Sequence, residues 1–489
     1  MREPSTPPLP VCLFPPSARR LFRGLLRPAL AVLLLCGLRC SDPTPDCAAP
    51  ESSQSGPASP LLSEVTSGSA PIDGSVQWNA TWVQKTAGEF LGWRRRGVRV
   101  SHAADGLAEV RIASSARALD CPSEDIDGGA ASFDPSVGLC RGQDPTGATL
   151  PAGVSYYAGV PFYFSTLASP EVRVPGSMDH LIPSWHATTP AGTWIQLHVR
   201  AKLASGWTGW YRLPIWSSDA ATIKRRSVKL PSDATGGVDV DTFFLKSPQT
   251  ASAYQLAVTL FSTSATVSPS LHMVAAVASR DAKTYPQAAP NRQVWGTSLP
   301  VPGRSQALPE YKDKGFGGGG EVWCSPTSTS MVMEYWSQVL ASPALNLSVP
   351  DAAAGCFDWV YDGTGNWPFN TAFAAQHGLF GLVTRLYSMT EAEAWIAAGV
   401  PLVISISFKA GELPGAPITK TNGHLIVVRG FDASGDVLVN DPAARDNASV
   451  HLTYPRAALE AAWTHSHRTA YILFPRAWAQ QAPRPLPPL

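Results

Sequence analysis

EVWCSPTSTSMVMEYW, residues 321–336, places a cysteine, Cys324, at the entrance of an expected helix, and the reading of the second half of the chain works outward from it. A glycine-rich segment from Gly315 to Gly320 leads in, Ser325 can cap, and Pro326 suits a first helical position, where a missing N–H costs nothing. Met331, Val332, Tyr335, Trp336 and Val339 recur at helical spacing, so one face should be buried while the N-terminus points at the thiol. Aligned peptide dipoles make that end partly positive. A thiol there can fall from about 8.5 toward roughly 3.5–7.5, which leaves thiolate, the reacting species, at neutral pH. Considered alone, Cys324 also fits a buried or disulfide-bonded cysteine.

One hundred residues later His424 opens HLIVVRGF, a strand pattern, and DVLVND follows the turn signal DASG, so the two should form a hairpin. Positions 424 and 441 are symmetric about Asp432 and Ala433, which puts Asp441 opposite His424 within a residue or two of register. A carboxylate there would orient the imidazole, completing a nucleophile, base and orienter set. Asn440 is the rival orienter, because a slip by one residue exchanges the faces of a strand. The plainer alternative is a strand-end histidine and a turn aspartate before Pro442.

The segments SQALPEYKDKGFGGGGEVWCSPTSTSMVM, GHLIVVRGFDASGDVLVNDPAA and the closing AYILFP resemble the papain-like cysteine peptidases of the bacteriocin-processing type, family C39, in their secreted single-chain branch; the likeness covers residues 295 to 476. The resemblance implies a papain-like fold and a triad of Cys324, His424 and Asp441. It also implies an oxyanion-hole glutamine upstream of the cysteine, for which Gln306 is the matching position, eighteen residues before Cys324 with the glycine-rich insert between them. Such a donor stabilises the developing oxyanion, and its loss in a related setting costs about 3–4 kcal/mol. An ordinary loop glutamine is the alternative. The implied activity is peptide-bond cleavage through an acyl-enzyme, without a cofactor. The same triad would also serve an amidase or a transglutaminase-like acyl transferase, and a protein of another class, an inactive surface binder of glycan or peptide, competes with both. Relatives that cut after paired glycines are fused to transporters; no transporter segment occurs here, so that preference is not carried over.

Composition bounds the rest. The chain has 489 residues, 44% of them hydrophobic and 15% charged, enough for two or three folded domains. A net charge of +1 with no basic block argues against nucleic acid or an anionic membrane surface as main partner, leaving a peptide or protein substrate. Near the start, RRLFRGLLRPALAVLLLCGL sets arginines ahead of a short apolar run from Ala29 to Leu38, the shape of an export signal over residues 1–40 and too short to favour a membrane span. Arg19, Arg20 and Phe22 also fit a twin-arginine signal, and Cys36 or Cys40 a lipidation site, which gives a secreted or envelope-associated protein. Residues 41–74 read as a flexible tether.

Residues 75–290 read as an all-β, sandwich-like domain, and 291–476 as the peptidase domain, so the fold class is α+β. AADG around Asp105 and Gly106 marks a hairpin. TWIQLHVRAK, GWYRLPIW, VDVDTFFLK, YQLAVTLF and LHMVAAVA are short alternating runs; Ile195, Leu197 and Val199 would face a core and Gln196, His198 and Arg200 water. Cys121 and Cys140 bracket a loop without periodicity and are the expected disulfide. No ligand-spaced partner accompanies His198 or His272, so no metal site is expected. Trp207, Trp210 and Trp216 cluster on one hairpin and read as packing, with a cell-wall glycan or peptide platform as the alternative. Cys356 either pairs with Cys47 or stays buried, His377 sits at a helix end, and the Pro-rich tail 477–489 is expected to be disordered.

Overall fold

The computed structural model describes residues 78–113, 118–121, 139–142, 161–228, 232–281, 284–286 and 288–489, all within one compact unit. The export segment, Cys36, Cys40, Cys47, the tether and the loop between Cys121 and Cys140 lie outside the described residues.

Alternating apolar residues from Trp78 to Arg280 build two largely antiparallel sheets, of seven and nine strands, which makes the N-terminal region a β-rich sandwich. Both central pairs are long: Thr193–Leu203 runs against Ala251–Ser262, and His180–Thr188 against Ser270–Arg280. The expected hairpin joins Val98–His102 to Ala108–Ile112; Gly106 takes φ +81°, and Leu107 N–H donates to Asp105. One expectation fails on strand Thr193–Leu203. Gln196 and His198 are as buried as Ile195 and Leu197. The cause is a second, smaller apolar cluster of Cys140, Phe162, Phe164, Trp194, Ile215, Ile223 and Phe261, which covers the side that alternation alone assigns to water. The Cys121–Cys140 disulfide closes against it. The three tryptophans also separate: Trp216 is fully buried in the main core, while Trp207 and Trp210 hold the Arg200 guanidinium over their rings at 4.7 and 4.8 Å.

The C-terminal region is α+β. The helix Cys324–Val339 packs on a six-stranded antiparallel sheet ordered Leu379–Arg385, Thr469–Pro475, Leu402–Phe408, Thr421–Phe431, Val437–Asn440, His451–Tyr454. Trp336 donates its indole N–H to Leu473 O at 2.8 Å and Tyr335 its hydroxyl to Gly399 O at 3.0 Å, which fixes the helix against that sheet. Val339, read as part of the buried face, is instead 41% exposed at the frayed end.

The two regions share one continuous apolar core, and the outer edge of strand Leu379–Arg385 is covered by the β-rich region. Val383 N–H donates to Ser184 Oγ at 2.8 Å, Thr81 and Thr384 hydroxyls meet at 2.7 Å, and Tyr387 donates to Asn79 O at 2.6 Å. The polar segment joining the regions is likewise anchored: Trp295 Nε1 and Asn291 N–H both donate to the buried Glu393 carboxylate, and Leu299 N–H donates to Arg429 O. The tail does not follow the expectation of disorder. Trp478 packs edge-on against Trp336 and donates to Ala398 O at 2.9 Å, because a large apolar ring beside an uncovered helix end has surface to bury.

Candidate active site

Cys324 is the first residue of its helix, 5% exposed, with Trp323 in the capping position. Ser325 does not cap. Its hydroxyl lies 2.9 Å from the Tyr471 hydroxyl, on strand Thr469–Pro475. The hydroxyl run that follows Cys324 is buried on every side; Ser328 and Thr329 tether the helix to neighbouring elements while Ser330 bonds back within it. Ser328 donates to Leu425 O at 2.9 Å, Thr329 to Asn370 Oδ1 at 3.3 Å, and Ser330 back to Thr327 O at 2.8 Å. The Ser328 bond sets the register between helix and sheet: Ser328 is one turn beyond Cys324, and Leu425 is the neighbour of His424.

His424 lies on strand Thr421–Phe431, paired with Ile406 on one side. On the other side the hairpin pairs Val427 with Asn440 and Val428 with Val439, so Asp441 follows on as the diagonal neighbour of His424 rather than its direct partner. The tip is closed by Asp432, whose carboxylate accepts from Ser434 N–H, Ser434 Oγ and Asp436 N–H, with Gly435 at φ +91°. His424 Nε2 and Asp441 Oδ1 stand 2.7 Å apart, both fully buried. Asp441 Oδ2 accepts the Tyr454 hydroxyl at 2.6 Å, and Oδ1 also accepts Ala443 N–H at 2.9 Å. Burial would lift the Asp441 carboxyl, but the charge of His424 and these hydrogen bonds reverse the effect and hold it below the usual carboxylate range. Asn440 points elsewhere. Its amide donates to Val301 O and Pro302 O, pinning the incoming segment, so it does not orient His424.

Gln306 is brought back to the cysteine end of the helix despite its distance in sequence. The insert closes on itself: Gly319 N–H donates to Gly315 O, Trp323 Nε1 to Phe316 O, and Gly317, Gly318 and Gly319 all take positive φ. At its close Gly320 lies so near that a Cβ there would stand 2.1 Å from Gln306 O. Gln306 Nε2 donates to Glu321 O at 2.9 Å, and its own N–H donates to Pro442 O beside Asp441. The insert therefore loops out without carrying Gln306 away.

The remaining sequence candidates fall outside this site. Cys356 is a free, fully buried thiol at the end of helix Val349–Cys356, raised by burial well above the thiol range, with Arg225 opposing the shift. His377 N–H caps helix Trp367–Gln376 while its ring meets Phe373. His272 is held between Ala108 O and Thr188 Oγ1. Among the described residues no cluster of His, Cys, Asp and Glu is arranged to hold a metal ion, and no helix is long and apolar enough to cross a membrane. Tyr454, Tyr471 and Ser328 were not foreseen. Nothing in an isolated sequence separates a tyrosine that braces a carboxylate from one that fills a core.

A helix carrying a cysteine at its N-terminus, laid on an antiparallel sheet that carries a histidine–carboxylate pair, is the construction of a papain-like domain. Residues 298–471 match the Peptidase_C39 like family, and residues 80–279 match the family described as the Peptidase C39 N-terminal domain. The two matches, one to each region, support a C39-type peptidase whose β-rich region corresponds to the N-terminal domain of that type. Among solved structures, a C39-like peptidase from Bacillus anthracis is similar at 18% identity over 37% of this chain and 98% of that one, with a TM-score of 0.27. No curated protein matches the chain.

Proposed function

We propose that the protein is an extracytoplasmic cysteine peptidase, with Cys324 as nucleophile, His424 as base and acid, Asp441 as orienter and Gln306 as oxyanion donor. The observation that carries this reading is the buried His424–Asp441 pair one residue from the strand position to which the cysteine helix is tied. With Nε2 engaged by Asp441, Nδ1 is the ring nitrogen that exchanges a proton with the thiol. The thiolate attacks a peptide carbonyl and forms a tetrahedral oxyanion, held by Gln306 Nε2 and a backbone N–H. Imidazolium then protonates the departing amine, leaving a thioester. Water, deprotonated by His424, attacks the thioester and releases the acid and the thiol. The protonated pair that forms in each half-cycle is stabilised by a carboxylate that Tyr454 and Ala443 keep charged.

The extracytoplasmic placement is supported by the Cys121–Cys140 disulfide, since such bonds persist in oxidising compartments. Incubation of the purified chain with a random-sequence peptide mixture, read by mass, tests the activity. Fragment pairs that sum to a parent plus one water, absent with Cys324→Ala, are expected. Products joined to an added amine would make it an acyl transferase instead, and turnover retained by Cys324→Ala would overturn the assignment of the nucleophile.

A further inference from the structure

The strap 301–307, which carries Gln306, forms neither helix nor strand. It has no ladder of its own, so its direction is decided by the partners its polar groups find outside it. Toward the cysteine helix, Arg304 N–H donates to Met331 Sδ at 3.2 Å and Arg304 Nε to the Glu334 carboxylate at 2.6 Å. On the other side lies the loop 441–450, which begins at the carboxylate that orients His424.

That loop is closed on itself. Asp441 N–H donates to Val450 O at 2.8 Å and joins the two ends, Ala444 N–H donates to Asp441 O at 3.2 Å, and Ser449 N–H donates to Asp446 Oδ1 at 2.9 Å. Three of its acceptors face the strap: the carbonyls of Pro442 and Ala444, and Asn447 Oδ1.

Ser305 takes two of the three. Its N–H donates to Asn447 Oδ1 at 2.7 Å, its hydroxyl donates to Ala444 O, and the same hydroxyl accepts Ala307 N–H at 2.9 Å. Pro442 O accepts Gln306 N–H at 2.8 Å. Gln306 is thereby held at its own N–H and bracketed through both neighbours, while its side chain reaches Glu321 O, three residues before Cys324. Ser305 is fully buried, and the approach is tight: a Cβ on Gly303 would stand 2.5 Å from Val450 Cγ2 and 2.7 Å from Asn447 O. Alanine at 305 would fill the same space but lose the hydroxyl that ties the loop to the residue after Gln306.

We propose that Ser305 is a positioning residue for the oxyanion donor: it fastens Gln306 to the closed loop that begins at Asp441, so one loop sets both the orienter of His424 and the amide that meets the oxyanion. Asn447 acts through Ser305. The inference rests on the reading of Gln306 as oxyanion donor.

Steady-state kinetics of the full chain, on a peptide that the wild type cleaves from a random-sequence mixture, test it. Misplacing a reacting group by about 1 Å can cost on the order of 10²-fold, so Ser305→Ala is expected to lower kcat by about 10- to 100-fold with KM nearly unchanged. Iodoacetamide labelling of Cys324, which forms no oxyanion, stays as in the wild type. Asn447 is exposed and supplies a second variant away from the core: Asn447→Ala is expected to lower kcat in the same way, and Asn447→Asp, which keeps the acceptor oxygen, to restore it. In a Gln306→Ala background, Ser305→Ala should cost nothing further, because the donor it positions is gone. An unchanged kcat in Ser305→Ala and Asn447→Ala, a loss in Asn447→Ala that Asn447→Asp shares, or a Ser305→Ala loss that persists in full without Gln306 would overturn the proposal. Full kcat in Gln306→Ala alone would instead overturn the oxyanion reading on which it rests.

Discussion

His424 Nε2 lies 2.7 Å from Asp441 Oδ1, although the hairpin that carries them sets the two residues diagonally rather than face to face. The diagonal suffices because the carboxylate is reached by an imidazole leaning along its strand, and because Tyr454 on Oδ2 and Ala443 N–H on Oδ1 hold the carboxylate in place.

Asp441→Ala should therefore lower kcat by about 10²–10⁴-fold with KM nearly unchanged, since the imidazole loses both its fixed tautomer and its counter-charge. Steady-state kinetics on a cleaved peptide check this. The Asp441 carboxyl is depressed in the fold, so its stabilising contribution is complete above the unfolded value near 3.8 and is lost only as pH falls through the lower folded value. As pH falls from about 3.8 through the lower folded value, the wild-type thermal midpoint should fall more steeply than that of Asp441→Ala.

Gln306→Ala should lower kcat by about 10²–10³-fold if its amide holds the oxyanion, again with KM nearly unchanged. Loss of the Glu321 and Pro442 neighbours' packing alone would instead appear in the thermal midpoint. A full-activity Gln306→Ala variant would return this residue to the role of a loop glutamine.

How much of this was legible in the chain can be read from particular residues. Cys324, His424 and Asp441 stand out as candidates because helix entry, strand alternation and a hairpin turn are local signals, while their grouping as a proposed triad comes with the family resemblance rather than from spacing alone. Asn440 was left as a rival because a sequence does not state register; two backbone carbonyls at Val301 and Pro302 decide it. Gln196 and His198 were misread as wet because their cover, Phe162, Phe164 and Phe261, comes from strands distant in sequence. The same holds for Asp358 and Arg225, whose partners lie about 130 residues away across a domain boundary. The tail was read from its prolines, and Trp478 outweighed them.

Asp241 supplies a pH test of the domain boundary. Burial first, then Asp239 and Asp358, lifts its carboxyl to about 7 against the opposing hydrogen bonds from Trp367 N–H and Thr242. A carboxyl raised in the fold keeps a proton that the unfolded chain has lost, so stability declines as pH rises from the unfolded value near 3.8 to about 7 and is level beyond. Asp241→Asn keeps an acceptor for Trp367 and removes the titration. Its thermal midpoint should gain on the wild type across that interval, by up to about 4 kcal/mol in stability at the upper end. Parallel curves would show that Asp241 does not titrate there.

The central claim, an activated thiolate–imidazole pair, is tested most directly by the rate of Cys324 alkylation by iodoacetamide as a function of pH, in the wild type and in His424→Ala. Rapid labelling that persists well below the ordinary thiol pKa of about 8.5 in the wild type, and is lost in the variant, is the predicted result. Slow labelling that rises only near that value, alike in both proteins, would contradict the account.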